Sequence, residues 1–427
     1  MKKGPKKSIN LIYKKLFYEN RSLLGKGNKN ALNILSRVIP IKYHSFTSGT
    51  KCFDWTIPQE WVFKKGILKD SKGKIIIDAS KNILHILGYS ASFRGWVNRE
   101  ELLKHLYYTK KLSGAIPYKT SYYAKNWGFC LSYIQFKKLK DSKYYVDIET
   151  KFKKGRLLIG EAHLKGKTNK QVILSSYTCH PLQANDGLSG VILLLLLYSL
   201  LKKKKLKYTY KFFFLPETIG SIALLAHKII KPELIEYALV ATCAGTGETI
   251  NYKKTFQGNH SIDNIVTSIL KNSRGKNKIK IRDYYPQGSD ERQFSSPKIR
   301  IPTGSIMRIP YQEFPEYHTS QDSLKLVSPS LIKELAKIYY QVILGYEKYP
   351  KYEVITNGGE PFLTKYGLYR TISVSGHSTK EIMRSWVLFL ADGTHNLKDI
   401  SVKSGFSETE LKPLIKELIK FKIIKEI

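Results

Sequence analysis

The stretch Ser175-Ser-Tyr-Thr-Cys-His180-Pro-Leu-Gln-Ala-Asn-Asp186-Gly-Leu-Ser-Gly190 lies between two apolar runs, Val172 to Leu174 before it and Val191 to Leu201 after it. A short apolar run that stops at turn-forming residues and resumes as a longer one reads as a buried strand, a loop and a buried helix. His180 then falls at the strand's carboxyl end, and Asp186 in the turn entering the helix. In an α/β sheet that edge is where ligand groups collect. An imidazole and a carboxylate placed there suit a metal ion.

Three later segments carry what such a site still needs. Lys211-Phe-Phe-Phe-Leu-Pro-Glu217-Thr-Ile-Gly-Ser221 is a buried strand ending in a carboxylate, and Gly288-Ser-Asp-Glu291 and Tyr317-His-Thr-Ser-Gln-Asp322 add acids and a second imidazole. Neutral imidazole and carboxylate oxygen are the donors of a hydrolytic zinc site that keeps one position for water. Glu217 is the spare carboxylate to take that water's proton.

From Gln171 onward strand and helix patterns alternate, the signature of a mostly parallel sheet covered by helices, with helices expected at Ser261 to Asn272 and Ser328 to Tyr346. Residues up to about 47 read as helical around a Gly/Asn-rich break at Gly25 to Asn30. Residues 48–145 change character, with short strands at Lys74 to Asp78 and Ile83 to Leu87, a helix near Arg99 to Tyr107, and many aromatics in loops. This behaves as an inserted module. Tyr144 to Lys165 reads as a β-hairpin. In the tail from 351, helices at Ser378 to Leu390, Asn396 to Ser404 and Ser407 to Lys420 precede a short strand at Phe421 to Ile427, the order of a helix-turn-helix with a wing. Ser407, Glu408 and Lys412 would face a DNA groove, but Glu408, Glu410 and Glu417 on the same helix favour a protein-interaction role.

These strings together resemble the bacterial aminopeptidase-like proteins of unknown function, relatives of the leucyl aminopeptidase type of zinc exopeptidase, with an inserted domain and a C-terminal winged helix. The likeness runs nearly end to end. It includes Asn20-Arg-Ser-Leu-Leu-Gly-Lys-Gly, Ser48-Gly-Thr-Lys-Cys-Phe-Asp-Trp, Pro58-Gln-Glu-Trp61, Ile116-Pro-Tyr-Lys-Thr-Ser-Tyr-Tyr123, Trp127-Gly-Phe-Cys130 and the site segments. The resemblance implies an α/β fold with a mixed, mostly parallel sheet between helices. It also implies an exopeptidase core at 1–47 and 146–350, an insert at 48–145 and a winged helix at 351–427.

Residue by residue, His180, Asp186 and His318 match metal ligands, and Glu217 matches the general base. The dinuclear exopeptidases carry two adjacent glutamates, whereas this chain reads Glu217-Thr218, and no carboxylate occupies 241–245, where a further aspartate is expected. One zinc per chain on His180, Asp186 and His318 is the simplest reading, and a catalytically silent scaffold is the alternative. Asp290 either orients His318 from behind or belongs, with Glu291, to an ordinary turn and helix start. Tyr317 and Asp322 border the site as supporting or substrate-facing groups. Tyr118, Tyr122, Tyr123 and Trp127 either cover the site or pack in the insert. Cys179 and Cys243 read as buried structural thiols rather than nucleophiles. The expected chemistry is hydrolysis of an amide, in a peptide or a small acyl-amide conjugate, with an implied link to surface-glycan or nucleotide-sugar pathways.

Composition sets the outer bounds. The 427 residues allow two or three domains, and 42% apolar content supports packed cores. Four scattered cysteines read as reduced thiols of a cytoplasmic protein. The basic N-terminus lacks a signal-peptide core, and the Val191 to Leu201 run is shorter than the roughly 20 residues a membrane span needs. A net charge of +38 is spread along the chain, which favours a generally basic surface over a dedicated nucleic-acid footprint, although a DNA-associated regulator stays an alternative. An acidic substrate would be drawn equally well, and a homo-oligomer stays open.

Overall fold

Eight strands form one mixed sheet: β1 (Lys42–Thr47), β2 (Arg156–Leu164), β3 (Gln171–Tyr177), β4 (Thr209–Leu215), β5 (Ile235–Val240), β6 (Thr249–Lys253), β7 (Lys278–Arg282) and β8 (Thr303–Met307). Their spatial order is β1-β2-β4-β3-β5-β8-β6-β7. The central strands β4, β3, β5 and β8 run parallel, and β1 and β2 add an antiparallel edge. Val172, Ile173 and Leu174 in β3, and Phe212, Phe213 and Phe214 in β4, are all fully buried. Parallel strands covered on both faces carry continuous apolar runs of this kind rather than alternating ones. The Ser189–Leu201 helix packs against β3 and β4. It belongs to an 18-residue apolar window, Ala184–Leu201, that is 83% buried, so its apolarity serves the core.

This computed structural model describes residues 5–272, 278–368 and 378–427. Contacts divide the chain into two compact units, Met1–Phe256 with Lys276–Tyr339, and Gln257–Gly275 with Tyr340–Ile427. The Ser261–Asn272 helix thus groups with the C-terminal residues, where Asp399 accepts hydrogen bonds from Ser261 and, at 2.8 Å, from Asn264. Within that unit, helices Thr379–Leu390, Leu397–Ser404 and Glu408–Lys420 each begin with a capping box, built on Ser378, Asn396 and Ser407. Strands Lys351–Val354, Asp392–Asn396 and Ile424–Glu426 form the small sheet of a winged helix.

In the larger unit, strands Glu60–Lys69, Ile75–Asp78, Phe93–Asn98 and Lys143–Lys153 form a second, antiparallel sheet. Three local expectations change here. The expected hairpin over Tyr144 to Lys165 is two strands joined by a turn but paired into different sheets. Both edges of 143–153 are taken by 60–69 and 93–98, and both edges of β2 by β1 and β4. The helical reading up to residue 47 ends early, because β1 closes the edge of the main sheet in register with β2. Ile83 to Leu87 is not a strand: Asn82 accepts a hydrogen bond from Leu84 N at 3.0 Å and caps a short turn of 3₁₀ helix, Ile83–His85.

Gly190 ties the helix to the sheet. A Cβ there would stand 1.9 Å from Ala241 O and 2.6 Å from Ser176 Oγ, so the helix can approach the end of β5 only without one. Backbone cannot yield as a flexible side chain can. Gly190→Ala should therefore destabilise the protein by at least about 3 kcal/mol in urea unfolding, the range of severe overpacking.

Candidate active site

The parallel strands deliver their carboxyl ends to one edge. β3 runs into Thr178-Cys179-His180, β4 into Pro216-Glu217, and β5 into Ala241-Thr242-Cys243. Asp186 sits in the tight turn Ala184–Leu188 ahead of the buried helix. That turn is held from outside. The Asp322 carboxylate accepts Asn185 N at 2.6 Å and Asp186 N at 2.9 Å, and Asp322 O accepts Ala184 N at 3.0 Å. Asn185 Oδ1 accepts Gly245 N at 2.8 Å, and Tyr13 donates to Ala184 O at 2.8 Å. The buried amides of Ala184, Asn185 and Asp186 thereby all find acceptors on Asp322.

This clamp brings His180, Asp186 and His318 together, with one donor atom from each lying within 4.8 Å of the others. Tyr177 and Asp186 share a hydrogen bond through Oδ1, and the same hydroxyl lies 2.7 Å from Thr242 Oγ1. Asp186 Oδ2 stands 2.9 Å from His318 Nε2, an ion-pair contact that falls short of hydrogen-bond geometry, and neither atom has a hydrogen-bond partner among the described residues. A cation between them would take a lone pair from each, with the His318 proton on its other ring nitrogen. Burial pushes the His180 imidazole down to about 3, against the pull of Asp186, which leaves it neutral with a free lone pair at ordinary pH. Burial pushes Asp186 up, yet His318, His180 and the Tyr177 hydroxyl outweigh it and bring the carboxyl to about 2. A neutral imidazole and an ionised carboxylate are the protonation states that ligate zinc.

Glu217 Oε2 lies 3.6 Å from His180 Nε2, and Glu217 Oε1 accepts from Ser289 Oγ at 2.6 Å. Burial, and then the charges of Asp290 and Asp186, push its carboxyl well above the usual range. Asp290 does not orient His318. Its Oδ1 accepts Thr218 N at 2.8 Å, an amide at the start of the Ile219–Ala226 helix with no partner within it, and Ser221 Oγ at 2.7 Å, a hydroxyl that also lies 2.9 Å from Thr218 O. Glu291 is fully buried and pairs with Lys253 Nζ at 2.8 Å, which also donates to Gln287 O at 2.7 Å. That buried pair braces the loop carrying Ser289 and Asp290. Tyr317 stacks on His318 with ring centroids 4.0 Å apart.

A cavity of about 960 Å³ opens over these groups. Tyr118, Tyr122 and Tyr123 line it, and the Tyr118 ring stands edge-on to both His180 and His318, at 5.1 and 5.2 Å. Trp127 does not reach it, being stacked between His105 and Phe93 at 3.7 and 4.4 Å. Two contributors are legible only in the structure. Arg21, fully buried, donates to Thr178 O at 3.0 Å and shapes the loop before His180, and Tyr177 orients Asp186. Each lies inside a quoted motif, but neither has a spacing that marks it.

The mixed α/β sheet and its helices have the fold of the M28-type zinc aminopeptidases. The chain belongs to the family described as a domain of unknown function (DUF4910), which matches residues 10–348, and a winged helix-turn-helix family matches residues 351–426. A Clostridium acetobutylicum protein is 39% identical over 97% of this chain and 95% of its own, and its name provisionally assigns it to polysaccharide biosynthesis with an aminopeptidase-like domain. A crystal structure from the same organism, named provisionally as a peptidase, is 37% identical with a TM-score of 0.79, covering 99% of this chain and 96% of that one. The zinc aminopeptidase BSAP from Bacillus subtilis shares the fold at 13% identity and a TM-score of 0.56, over 79% of this chain and 94% of that one.

Asp322 makes the electrostatic cost of the clamp measurable. Burial raises its carboxyl to about 7 despite the backbone donors. A carboxyl whose folded pKa lies above its unfolded value contributes stability below the unfolded pKa and loses it as pH rises through the folded one. In metal-free protein, wild type should therefore lose stability relative to Asp322→Asn between about pH 4 and pH 7, by at most roughly 4 kcal/mol. Urea melts at stepped pH measure this, and a flat difference would refute it.

Proposed function

We propose that the protein is a zinc-dependent, aminopeptidase-like amide hydrolase, with one zinc per chain held by His180, Asp186 and His318. The facing unpartnered atoms of Asp186 and His318 carry this reading. When bound, such an ion lowers the pKa of a water and polarises a carbonyl. The chain's own residues supply the rest. Glu217, steadied by Ser289 and with Oε2 3.6 Å from His180 Nε2, would take a proton from water and return it to the leaving amine once the charge of a bound ion offset the burial that raises its carboxyl. Tyr118 stands edge-on to both imidazoles and Tyr317 stacks on His318, which walls the rings on those faces.

The cleft favours an amide-linked conjugate over a simple aliphatic peptide. Its walls carry Trp55, Tyr107, Tyr108, Tyr123 and Phe314, and three cations, Lys111, Lys119 and Arg292, against one lining carboxylate, Glu217. Aromatic faces with polar edges and excess positive charge suit a sugar ring bearing an acidic group, which agrees with the relative named for polysaccharide biosynthesis. All four cysteines are free and buried, which supports a cytoplasmic setting.

Elemental analysis of purified protein tests the site. About one zinc per chain is expected in wild type and none in His180→Ala or His318→Ala. Glu217→Gln should keep its zinc and lose amide hydrolysis by about 10²- to 10⁴-fold. Wild type that stays metal-free after incubation with zinc would leave the scaffold reading in place.

The winged helix supports a second reading. The three glutamates that argue against DNA are engaged within their own unit: Glu408 with Lys398 at 3.3 Å, Glu410 in the Ser407 capping box, and Glu417 with Lys380 and Arg384 at 3.2 and 3.3 Å. Lys412, Lys416 and Lys420, one turn apart, remain exposed on that helix. Nucleic-acid binding through this face predicts a DNA mobility shift that weakens steeply with salt and is lost when the three lysines become glutamine. An unchanged shift in that variant would assign the binding to charge elsewhere.

A further inference from the structure

We infer that the inserted domain is a working part of the metal centre: its segment 116–118 holds His318 in position, and Gly88 seats that segment. The inference rests on the zinc reading above. His318 adopts φ +53°, a left-handed conformation that a non-glycine residue keeps only when its surroundings impose it. Its side chain is also 34% exposed, against 5% for His180, so packing restrains it less.

The restraint comes from the insert. Pro117 forms a β-bridge with Thr319, Tyr118 N donates to His318 O at 2.7 Å, and Ser320 N donates to Ile116 O at 2.8 Å. Ile116 N in turn donates to Ser320 Oγ at 3.0 Å. The two residues after His318, and its own carbonyl, are thereby tied to a chain segment some 200 positions earlier.

The far side of that segment is pinned to the body of the insert. Gly88 N donates to Lys119 O at 2.9 Å, Ser121 N donates to Gly88 O at 2.8 Å, and Gly88 bridges to Thr120. The approach is too close for a side chain: a Cβ on Gly88 would meet Thr120 Cγ2 at 2.8 Å, while Lys119 O at 3.3 Å is tight but tolerable. Adding a methyl at Gly88 therefore pushes 119–120 toward the site and displaces the partner strand of His318. Removing the Thr120 methyl relieves the push. Gly88 has no side chain to offer the ion, and its hydrogen bonds to this region run through Lys119 and Ser121.

The test is zinc affinity by competition with a chromophoric chelator, together with amide hydrogen exchange over 316–320 in the metal-free chain. Gly88→Ala should weaken zinc binding at least ten-fold and speed that exchange, and the added change Thr120→Ser should restore both to within about three-fold of wild type. Should Gly88→Ala not fold, Ser320→Ala replaces it, with binding weakened about five-fold and Ser320→Thr restoring it. Wild-type affinity and exchange in Gly88→Ala, or losses that Thr120→Ser does not rescue, would overturn the inference while leaving the zinc site intact. Faster exchange in Gly88→Ala, in a protein whose wild type takes no zinc, would sustain the coupling and sink the metal reading instead.

Discussion

The carboxylate of Asp322 is the contact on which the site depends. It reaches back 137 residues to Asn185 N and 136 to Asp186 N, and so joins the turn presenting Asp186 to the loop presenting His318. Neither segment is regular structure at that point. Without a shared acceptor the buried amides of the turn would be orphaned, each costing about 1–3 kcal/mol. Satisfying them with an acid instead of a neutral amide has its own cost, visible in the raised Asp322 carboxyl.

That cost belongs to a wider imbalance. The protein carries +38 overall, yet the neighbourhood of the site is acidic: Asp186, Asp290, Glu291 and Asp322 are buried, and Glu217 projects among them. Lys253 neutralises Glu291, and Arg21 is the other buried cation nearby, itself lowered to about 10 mainly by burial. The remaining carboxyls have little to balance them, and Asp290 rises to about 6 largely through burial. A low-dielectric pocket with surplus acid, a neutral His180 imidazole and an Asp186 oxygen facing His318 Nε2 without a hydrogen bond is short of positive charge at one point. A divalent cation there answers the electrostatic and the hydrogen-bonding deficits together.

The residues of this centre were legible in the sequence because each stands where an apolar strand stops: His180 after β3, Glu217 after β4, Asp186 before the apolar helix. His318 was legible only through the Tyr-His-Thr string, since the loop around it has no periodicity to read. What stayed hidden is non-local. The pairing of Pro117 with Thr319 joins two loops, and the exchange of partners that splits the expected hairpin depends on which strand edges are already filled. Asp290 has two readings from the sequence, support for an imidazole or an ordinary helix start, and the structure places it at the start of the Glu291–Phe294 helix. Its carboxylate also takes Thr218 N and Ser221 Oγ at the start of another helix, contacts across 72 and 69 residues that no composition or spacing announces.

Thr218 also bears on how many cations the edge can hold. Its amide is committed to Asp290, and its hydroxyl accepts from Arg292 Nη2 at 3.0 Å. A side chain engaged by a guanidinium offers little to a second metal ion, and the guanidinium would repel one. Near Thr242, where a carboxylate would be needed to complete a second set, the hydroxyl is instead bonded to Tyr177, which holds Asp186. Both positions that could serve a further ion are thus engaged by neighbouring groups. These bonds, together with the missing carboxylates, support the proposal of a single ion over a pair.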